Sequence, residues 1–343
     1  MNSIHTHTVE EDIAKKLWQK FSKEKISIIK KIPSGFKNRS YYIRSKPGKE
    51  FVLKIYAQNY LTKDQIEERG RIVKELENKG VPVLEMVHGL NNKFAQEIKI
   101  KKDNYLAVLS KYIEVPFSEL QVNEKIVKTV AIELKKLHKE LSKIKHSQNF
   151  KKLEIITSLN SLLEDSALEK IHEHFNEKGK RSKRLTEFLK FYTNEGNKLL
   201  KYFNKRKNMF KDPQLNHGDF NLNNFLVENG SIIKIFDFDE LTIAPKSYEV
   251  ALSIYYLDYP EEFYTDELIQ KFIETYYEKE EITKDIVEDI ITFMKYRAYY
   301  RLARYFIYYQ FTDVPGGHFT KFQRHLEKFN RIDPYEIYEI IKN

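Results

Sequence analysis

The chain has 343 residues, 41% of them hydrophobic and 14% aromatic, which is enough to bury the cores of two or three domains and excludes a mainly disordered protein. It has no cysteine, which excludes disulfide bonds, thiolate zinc sites and a cysteine nucleophile. The net charge of +9 is spread along the chain without a recognised binding motif, so we expect no nucleic-acid partner. No run approaches the roughly 20 apolar residues of a spanning helix and the first residues are polar, so we expect a cytoplasmic protein with no membrane partner.

The first third of the chain predicts an antiparallel sheet. After a short amphipathic helix at Asp12–Phe21, three strand-like runs are separated by turn signals that contain Pro and Gly. These runs are Ile26–Ile32, Ser40–Arg44 and Glu50–Tyr56. Asp64–Lys79 has helical spacing and ends at Gly80, a residue that favours a helix C-terminus. Further strands follow, the last at Tyr105–Tyr112, so the pattern predicts a sheet that carries one long helix.

The remainder of the chain predicts mainly helices. Lys125–Leu141 and a Lys- and Glu-rich stretch at about 153–206 have helical patterns, and a compact hairpin region follows at Leu215–Phe238 before further helices. We therefore predict an α+β protein with an N-terminal domain at 1–113 and a larger, mainly helical C-terminal domain at 114–343.

The hairpin region contains a pattern that is typical of a magnesium site. Asn229-Gly230 is a strong signal for a two-residue hairpin turn, since a type I′ turn needs positive φ at both positions. Counting back from this turn predicts that Asn224 faces Ile235 and that Asp237 is the diagonal neighbour of Asn224. Diagonal Cβ atoms lie roughly 7 Å apart, so the amide oxygen and the carboxylate can bind the same hard cation. The sequence thus predicts an oxygen-ligand Mg²⁺ site.

A third polar residue precedes this pair. Asp219 lies five residues before Asn224, and such a carboxylate can accept the proton of an attacking hydroxyl while a metal holds phosphates. The alternative is that these Asp and Asn residues only cap a hairpin. Their fixed types and spacing favour the catalytic interpretation.

The string His217–Asn224 and the later Asp237 together resemble the H-G-D-x-x-x-x-N and hydrophobic-D-x-D/E motifs of the aminoglycoside phosphotransferase and choline kinase family, in the protein-kinase-like superfamily. The resemblance implies a catalytic loop with His217 and with Asp219 as the base, and Asn224 and Asp237 as ligands of Mg²⁺. It also implies a protein-kinase-like two-lobed fold, whose N-terminal lobe binds ATP and whose larger C-terminal lobe carries catalysis and substrate binding.

Two further segments share this resemblance. Leu134-x-x-Leu137-His138 looks like the family's L-x-x-L-H helix. Tyr248-Glu249 begins a segment that looks like the family's Y-D-h-A motif, with Glu249 in place of the usual Asp.

The N-terminal half fits the same family. Ile32–Asn38 resembles its G-x-x-N loop, so we expect Ser34 and Gly35 to bind ATP phosphates through backbone N–H groups. Lys54, on the third strand, is expected to reach the α and β phosphates.

The resemblance also implies the groups around Lys54 and the adenine. Glu68 or Glu67 of the following helix is expected to form the ion pair with Lys54, and Glu68 is our first choice. The backbone from Ser110 to Tyr112 is expected to form the hinge that contacts the adenine edge.

Alternatives remain for the acceptor and for catalysis. A bacterial protein Ser/Thr kinase of the same superfamily is one, although Gly218 stands where eukaryotic-type kinases have Arg and the segment from Asp237 to Ala244-Pro245 is too short for a regulated activation loop. A non-catalytic relative of the spore-coat type is another, although the catalytic and metal-binding residue types are all present. We favour an ATP-dependent kinase of a small molecule with a hydroxyl group.

The charge pattern predicts a cationic acceptor, such as an amino sugar or an amino alcohol. Residues 258–290 contain twelve acidic residues against three lysines and no arginine, in a chain that is positive overall. Tyrosines lie among these acids and offer cation–π contacts: Tyr255, Tyr256, Tyr259, Tyr264, Tyr276 and Tyr277. The alternative is that the acids form solvated helix faces while the tyrosines pack inward.

Overall fold

The computed structural model describes residues 3–33, 38–114, 122–147, 150–177, 183–210, 212–257, 266–307 and 326–342. They form two compact units that interleave in sequence. Unit 1 comprises the described residues within 1–120, 139–149 and 224–241, and unit 2 those within 121–138, 150–223 and 242–343. The predicted domain boundary at Ile113 stays a prediction. None of the described helices has an apolar stretch long enough to cross a bilayer.

The strands are β1 (Ile26–Ile32), β2 (Arg39–Ser45), β3 (Glu50–Ile55), β4 (Met86–Val87), β5 (Gln96–Ile100), β6 (Asp103–Lys111), β7 (Lys151–Lys152), β8 (Gln214–Asn216), β9 (Phe225–Glu228), β10 (Ser231–Ile235) and β11 (Thr242–Ala244). The α-helices are α1 (Ser3–Phe21), α2 (Lys63–Asn78), α3 (Glu124–Leu141), α4 (Ile155–Leu163), α5 (Asp165–Glu177), α6 (Lys183–Lys205), α7 (Lys246–Leu257), α8 (Asp266–Tyr276), α9 (Lys284–Ile307) and α10 (Pro334–Lys342). Residues 326–331 are also helical. Short 3-10 helices lie at Lys207–Phe210, Leu222–Asn224, Phe238–Glu240 and Lys279–Glu281.

Unit 1 contains the predicted antiparallel sheet. Its strand order is β1-β2-β3-β6-β4, and β5 also pairs with β6. Side chains of β2 alternate between the two faces, with Tyr41 and Ile43 buried. They join a core cluster with Leu53 of β3 and with Leu17 and Trp18 of α1. Helix α1 thus packs its apolar face against the sheet, in addition to the expected helix α2.

Helix α2 has clear start and stop signals. Thr62 and Gln65 form a capping box, in which each side chain accepts a hydrogen bond from the other residue's backbone N–H. Ile66 and Leu76 are fully buried on one face of the helix. The chain leaves the helix at Gly80, which has a φ of 79°. These features fix the position of α2 in unit 1.

Unit 2 is mainly helical around a small three-stranded sheet. Strand β11 pairs antiparallel with β8 and parallel with β7. Most residues of α7 are buried, so this helix lies largely in the core, and the Lys246 side chain at its start is 44% exposed. Both units therefore agree with the predicted α+β fold class.

Candidate active site

The hairpin β9–β10 of unit 1 begins as the sequence predicts. Asn229 and Gly230 have φ values of 53° and 74°, as a type I′ turn requires. The predicted pairing of Asn224 with Ile235 is wrong, because Ile235 faces Phe225. A β-bulge in β10 shifts the register by one residue, and an inserted residue of this kind leaves no signal in the turn.

The two proposed metal ligands lie at the end of this hairpin. The Phe236 N–H donates to the Asn224 carbonyl at 3.0 Å, and Asp237 is the next residue. Asn224 is buried, whereas the Asp237 side chain is 38% exposed. An amide oxygen and a carboxylate are hard donors that suit Mg²⁺, which usually takes one or two carboxylates and completes its shell with phosphates and water. The described residues contain no group of three or more His, Asp or Glu side chains that could hold a metal.

Lys54 lies beside this end of the hairpin. Its Nζ is 2.7 Å from Oδ1 of Asp237 and 2.6 Å from Oδ2 of Asp239. Burial alone would lower the pKa of Lys54, but the charges of Asp239 and Asp237 raise this pKa above its usual value of 10.5. The amine is therefore charged at neutral pH, as a phosphate-binding lysine must be.

The expected ion pair between Lys54 and Glu68 or Glu67 is wrong. Glu68 accepts hydrogen bonds from the backbone N–H and the hydroxyl of Ser147, and Glu67 accepts one from the Ala95 N–H at 3.0 Å. Nearby donors thus bind the carboxylates of both candidate glutamates. Lys54 instead contacts the two acids that follow β10, where two negative charges lie within reach.

Asp239 is a site residue that the sequence analysis did not assign. It is 8% exposed, and besides Lys54 its carboxylate accepts hydrogen bonds from the Tyr56 hydroxyl and the Asn38 amide. Its carbonyl accepts one from Nε of Arg69. The D-x-D/E motif contained the available signal, since Asp239 is its second acid.

The remaining expected ATP contacts are only partly described. Ser34 and Gly35 lie outside the described residues. Ser110 pairs with β3 and β4 inside the sheet. The Tyr112 N–H donates to the Glu50 carbonyl at 3.0 Å, so this N–H is not open to an adenine edge. The next N–H along the chain, that of Ile113, has no hydrogen-bond partner in the described part of the chain.

The predicted catalytic loop lies in unit 2. His217 is fully buried, and its Nδ1 accepts a hydrogen bond from the Asp219 N–H at 3.3 Å. Nδ2 of Asn221 donates to the Asp219 carbonyl at 3.0 Å, and the Ser253 hydroxyl donates to the Phe220 carbonyl at 3.0 Å. These bonds fix the backbone on both sides of Asp219, whose own side chain is only half-buried.

Glu249 of α7 is fully buried and binds the same loop. Its carboxylate accepts hydrogen bonds from the N–H groups of His217, at 2.8 Å, and of Gly218. Nε2 of His138 lies 2.8 Å from it, and Nδ1 of His138 lies 2.5 Å from the Tyr276 hydroxyl. Burial alone would raise the pKa of Glu249, but the hydrogen bond and charge of His138, with the bonds from the loop, lower this pKa below 4.5. Glu249, which stands where the family's motif has Asp, therefore holds the backbone of the loop at His217 and Gly218.

The tyrosines expected to contact a cationic acceptor pack against protein groups where they are described. Tyr276 bonds His138, and the Arg297 guanidinium donates to the Tyr256 hydroxyl and lies 5.3 Å from its ring centroid. Tyr255 and Tyr277 are buried. Tyr259 and Tyr264 lie outside the described residues. The described tyrosines thus support the alternative in which they pack inward.

Several acids of the same region also have partners. They form ion pairs with basic residues of unit 2: Glu278 with Lys135, Glu281 with Lys246, and Asp285 and Asp289 with Arg206. The pairs of Glu278 and Glu281 are exposed and contribute little to stability, whereas Asp289 is buried. The positive partners reduce the net charge with which these acids could attract a cation.

Solved structures with the same fold include three small-molecule kinases. The amicoumacin kinase hAmiN, in complex with AMP-PNP, Ca²⁺ and Ami, is 14% identical, with a TM-score of 0.72 over 98% of this chain and 100% of that chain. A microcompartment-associated aminopropanol kinase is 14% identical, with a TM-score of 0.69 over 96% and 98%. The choline kinase LicA from Streptococcus pneumoniae is 12% identical, with a TM-score of 0.59 over 96% and 100%. At these identities the likeness establishes the protein-kinase-like fold.

The family follows from the sequence itself. No curated protein is significantly similar to the chain in sequence. The model of the phosphotransferase enzyme family APH, however, matches residues 28–281, which include Lys54, Asp219, Asn224 and Asp237. This match covers well over half of the chain and confirms the prediction of an enzyme that transfers phosphoryl groups. The chain therefore belongs to the phosphotransferase enzyme family.

Proposed function

We propose that the chain transfers the γ-phosphate of ATP to a hydroxyl group of a small molecule, with Mg²⁺ as the cofactor. One observation carries the nucleotide part. Lys54 and Asp237 are 183 residues apart in sequence, yet Nζ and Oδ1 lie 2.7 Å apart. A phosphate-binding cation beside a metal-binding carboxylate is the arrangement that phosphoryl transfer requires.

Asp219 acts on the acceptor in the proposed reaction. Its carboxylate accepts the proton of the acceptor hydroxyl as the oxygen attacks the γ-phosphorus, and the bond between this phosphorus and the bridging oxygen breaks to release ADP. The hydrogen bonds with His217 and Asn221 hold the backbone of Asp219, from which its carboxylate would reach the acceptor.

Two kinds of group bind the phosphates. Lys54 provides a positive charge for the α and β phosphates, and Asn224 and Asp237 would hold Mg²⁺. Mg²⁺ held by these two residues would supply positive charge to neutralise the charge that develops on the phosphates. The roles of Ser34, Gly35 and the hinge stay predictions of the family resemblance, with Ile113 N–H as the proposed donor to adenine.

The acceptor belongs to the class of small hydroxyl compounds. Amicoumacin, aminopropanol and choline kinases share the fold, and aminopropanol and choline each carry a hydroxyl and a cationic nitrogen. A cationic amino alcohol or amino sugar is therefore our first choice, although the described tyrosines do not add to its support. The expected cytoplasmic location also stays a prediction.

The purified chain tests this proposal in two steps. First, ATP with Mg²⁺ should raise the melting temperature, because a ligand that binds only the folded state stabilises it by mass action. Second, ADP release should be measured with a panel of amino alcohols, aminoglycosides, neutral sugars and a protein substrate, with and without EDTA. We expect a small hydroxyl compound to stimulate ADP release and EDTA to abolish it.

Two variants make the assay specific. Asp219→Asn should lower kcat by about 10² to 10⁴-fold with little change in the ATP KM, since a positioned base contributes about that factor. Asp212→Asn, an exposed residue before the loop, is the matched control and should leave both unchanged. Stimulation by the protein substrate alone would favour a protein kinase, and nucleotide-independent melting without ADP release would favour a non-catalytic relative.

A further inference from the structure

Asp239 is buried and its carboxylate is held by three side-chain donors, whereas the Asp237 side chain is more exposed. Its Oδ1 accepts a hydrogen bond from the Tyr56 hydroxyl at 3.0 Å, and its Oδ2 contacts Nζ of Lys54 at 2.6 Å and Nδ2 of Asn38 at 3.2 Å. The Asp239 side chain is 9% exposed, against 38% for that of Asp237. A buried carboxylate that several donors hold keeps one orientation.

The donors of Asp239 come from separate elements of unit 1. Lys54 is on β3 and Tyr56 directly follows this strand, whereas Asn38 immediately precedes β2. Oδ1 of Asn38 also accepts a hydrogen bond from the Ala57 N–H at 3.1 Å, which ties the start of β2 to the chain after β3. Nε of Arg69 on α2 bonds the Asp239 carbonyl at 3.0 Å. Asp239 therefore connects the strand of Lys54, the start of β2 and helix α2.

We infer that Asp239, and not a glutamate of α2, positions Lys54 for the nucleotide phosphates. This inference rests on the proposed function, in which Lys54 binds ATP. Both glutamates of α2 that were candidates have other partners, since Glu68 bonds Ser147 and Glu67 bonds the Ala95 N–H. Asp237 also contacts Lys54, but in the proposed function its carboxylate belongs to Mg²⁺. Asp239 is then the acid that keeps Lys54 in place when the nucleotide binds.

Nucleotide affinity separates Asp239 from Glu68. The dissociation constant for AMP-PNP with Mg²⁺ should be measured by isothermal titration calorimetry for the wild type, Asp239→Asn and Glu68→Gln. Asp239→Asn keeps the size of the side chain and removes its charge. We expect at least tenfold weaker binding for Asp239→Asn and a change within twofold for Glu68→Gln. The reverse order would overturn the inference.

A double-mutant cycle tests whether Asp239 acts through Lys54. A residue that only supports folding should weaken binding whether or not the lysine is present. If Asp239 positions the lysine, adding Asp239→Asn to Lys54→Met should leave the AMP-PNP affinity within twofold of that of Lys54→Met alone. Additive losses in the double variant would contradict a positioning role.

A milder variant covers the case in which Asp239→Asn does not fold. Tyr56→Phe removes one hydrogen bond to Oδ1 and leaves both charges in place. Loss of a hydrogen bond to a charged group is expected to weaken AMP-PNP binding by at least threefold, and the loss should again vanish in the Lys54→Met background. Unchanged affinity for Tyr56→Phe would count against the inference.

Lys54→Met alone separates failure of this inference from failure of the proposed function. If Lys54→Met binds AMP-PNP as well as the wild type, the proposed role of Lys54 is wrong and the inference is lost with it. If Lys54→Met binds weakly while Asp239→Asn binds normally, the proposed function stands and only the inference is overturned.

Discussion

Two buried carboxylates, Asp239 in unit 1 and Glu249 in unit 2, hold their surroundings by different kinds of hydrogen bond. The side chain of Asp239 receives side-chain donors from Lys54 and two further residues. Glu249 receives two backbone N–H groups and one imidazole, that of His138. Asp239 therefore fixes side chains, whereas Glu249 fixes the path of a loop.

This difference determines how each carboxylate tolerates change. A side chain that loses one partner can turn to another, so without nucleotide Lys54 still has Asp237 when Asp239 is neutralised, and the folded state loses little stability. A buried backbone N–H cannot turn, so it pays the full cost of desolvation when its acceptor is removed. We therefore expect changes at Asp239 to affect nucleotide affinity most and changes at Glu249 to affect stability most.

The largest expected effect follows removal of the Glu249 carboxylate. Glu249→Ala leaves His138 and the two N–H groups buried without their acceptor, and breaking a buried pair of this kind costs about 3 to 5 kcal/mol. The melting temperature of the transition that contains unit 2 should fall by roughly 6 to 20 °C. Calorimetry measures this melting temperature. Glu187→Ala on the exposed face of α6 is the control and should change it little. Equal melting temperatures for the two variants would show that the Glu249 carboxylate does not contribute this stability.

The pH dependence sharpens this prediction. The pKa of Glu249 is below 4.5 in the folded state, so its contribution to stability is complete above the unfolded-state value and is lost as the pH falls through the folded-state value. The gap in the free energy of unfolding between the wild type and Glu249→Gln should be widest at neutral pH and should narrow below pH 4.5. Urea unfolding at a series of pH values gives this gap, because the other carboxylates titrate alike in both proteins. If this difference in the free energy of unfolding instead widened towards acid pH, folding would raise the pKa of Glu249 and the prediction would be wrong.

The strongest features of both regions could be predicted from the sequence because they are local. The turn at Asn229-Gly230 and the end of α2 at Gly80 depend on backbone preferences of a few adjacent residues. The proposed metal ligands and the proposed base were recognised from their fixed spacing within one segment. His138 and Glu249 were found only through the family resemblance, because 111 residues separate them.

The missed features are those in which several partners compete. Lys54 was expected to pair with an acid of the next helix, but the choice between Glu68 and Asp239 depends on which donors reach each carboxylate after folding. The prediction of the hairpin register was wrong for a similar reason, since packing and not the turn determines the bulge in β10. Residue propensities and sequence spacing do not show which acid pairs with Lys54 or where a bulge shifts the hairpin register.

A smaller effect is expected at the turn that Glu249 holds. Gly218 has a φ of 83°, where a side chain costs about 1 to 2 kcal/mol, and its N–H donates to Glu249. Gly218→Ala should lower the melting temperature by about 2 to 8 °C and kcat by at least tenfold, since strain there displaces Asp219. Gly48→Ala has similar strain, with a φ of 95° and no atom near its new Cβ, and should lower stability alone. Equal kcat values for Gly218→Ala and Gly48→Ala would show that the turn at Gly218 does not affect catalysis.

The smallest expected effect tests the outer end of the Glu249 network. Tyr276→Phe keeps the ring and removes the hydroxyl beside Nδ1 of His138, which should cost about 1 kcal/mol and a few degrees in melting temperature. Tyr277→Phe is a matched control, because its buried ring lies next to Tyr276 and its hydroxyl makes no hydrogen bond to a described residue. We expect Tyr277→Phe to stay within about 0.5 kcal/mol of the wild type. Because His138 bonds Glu249, which holds the loop, Tyr276→Phe should also lower kcat severalfold without changing the ATP KM. If both variants lose the same stability and neither lowers kcat, the hydroxyl of Tyr276 does not contribute to the hydrogen-bond network, and Tyr276 contributes only by packing.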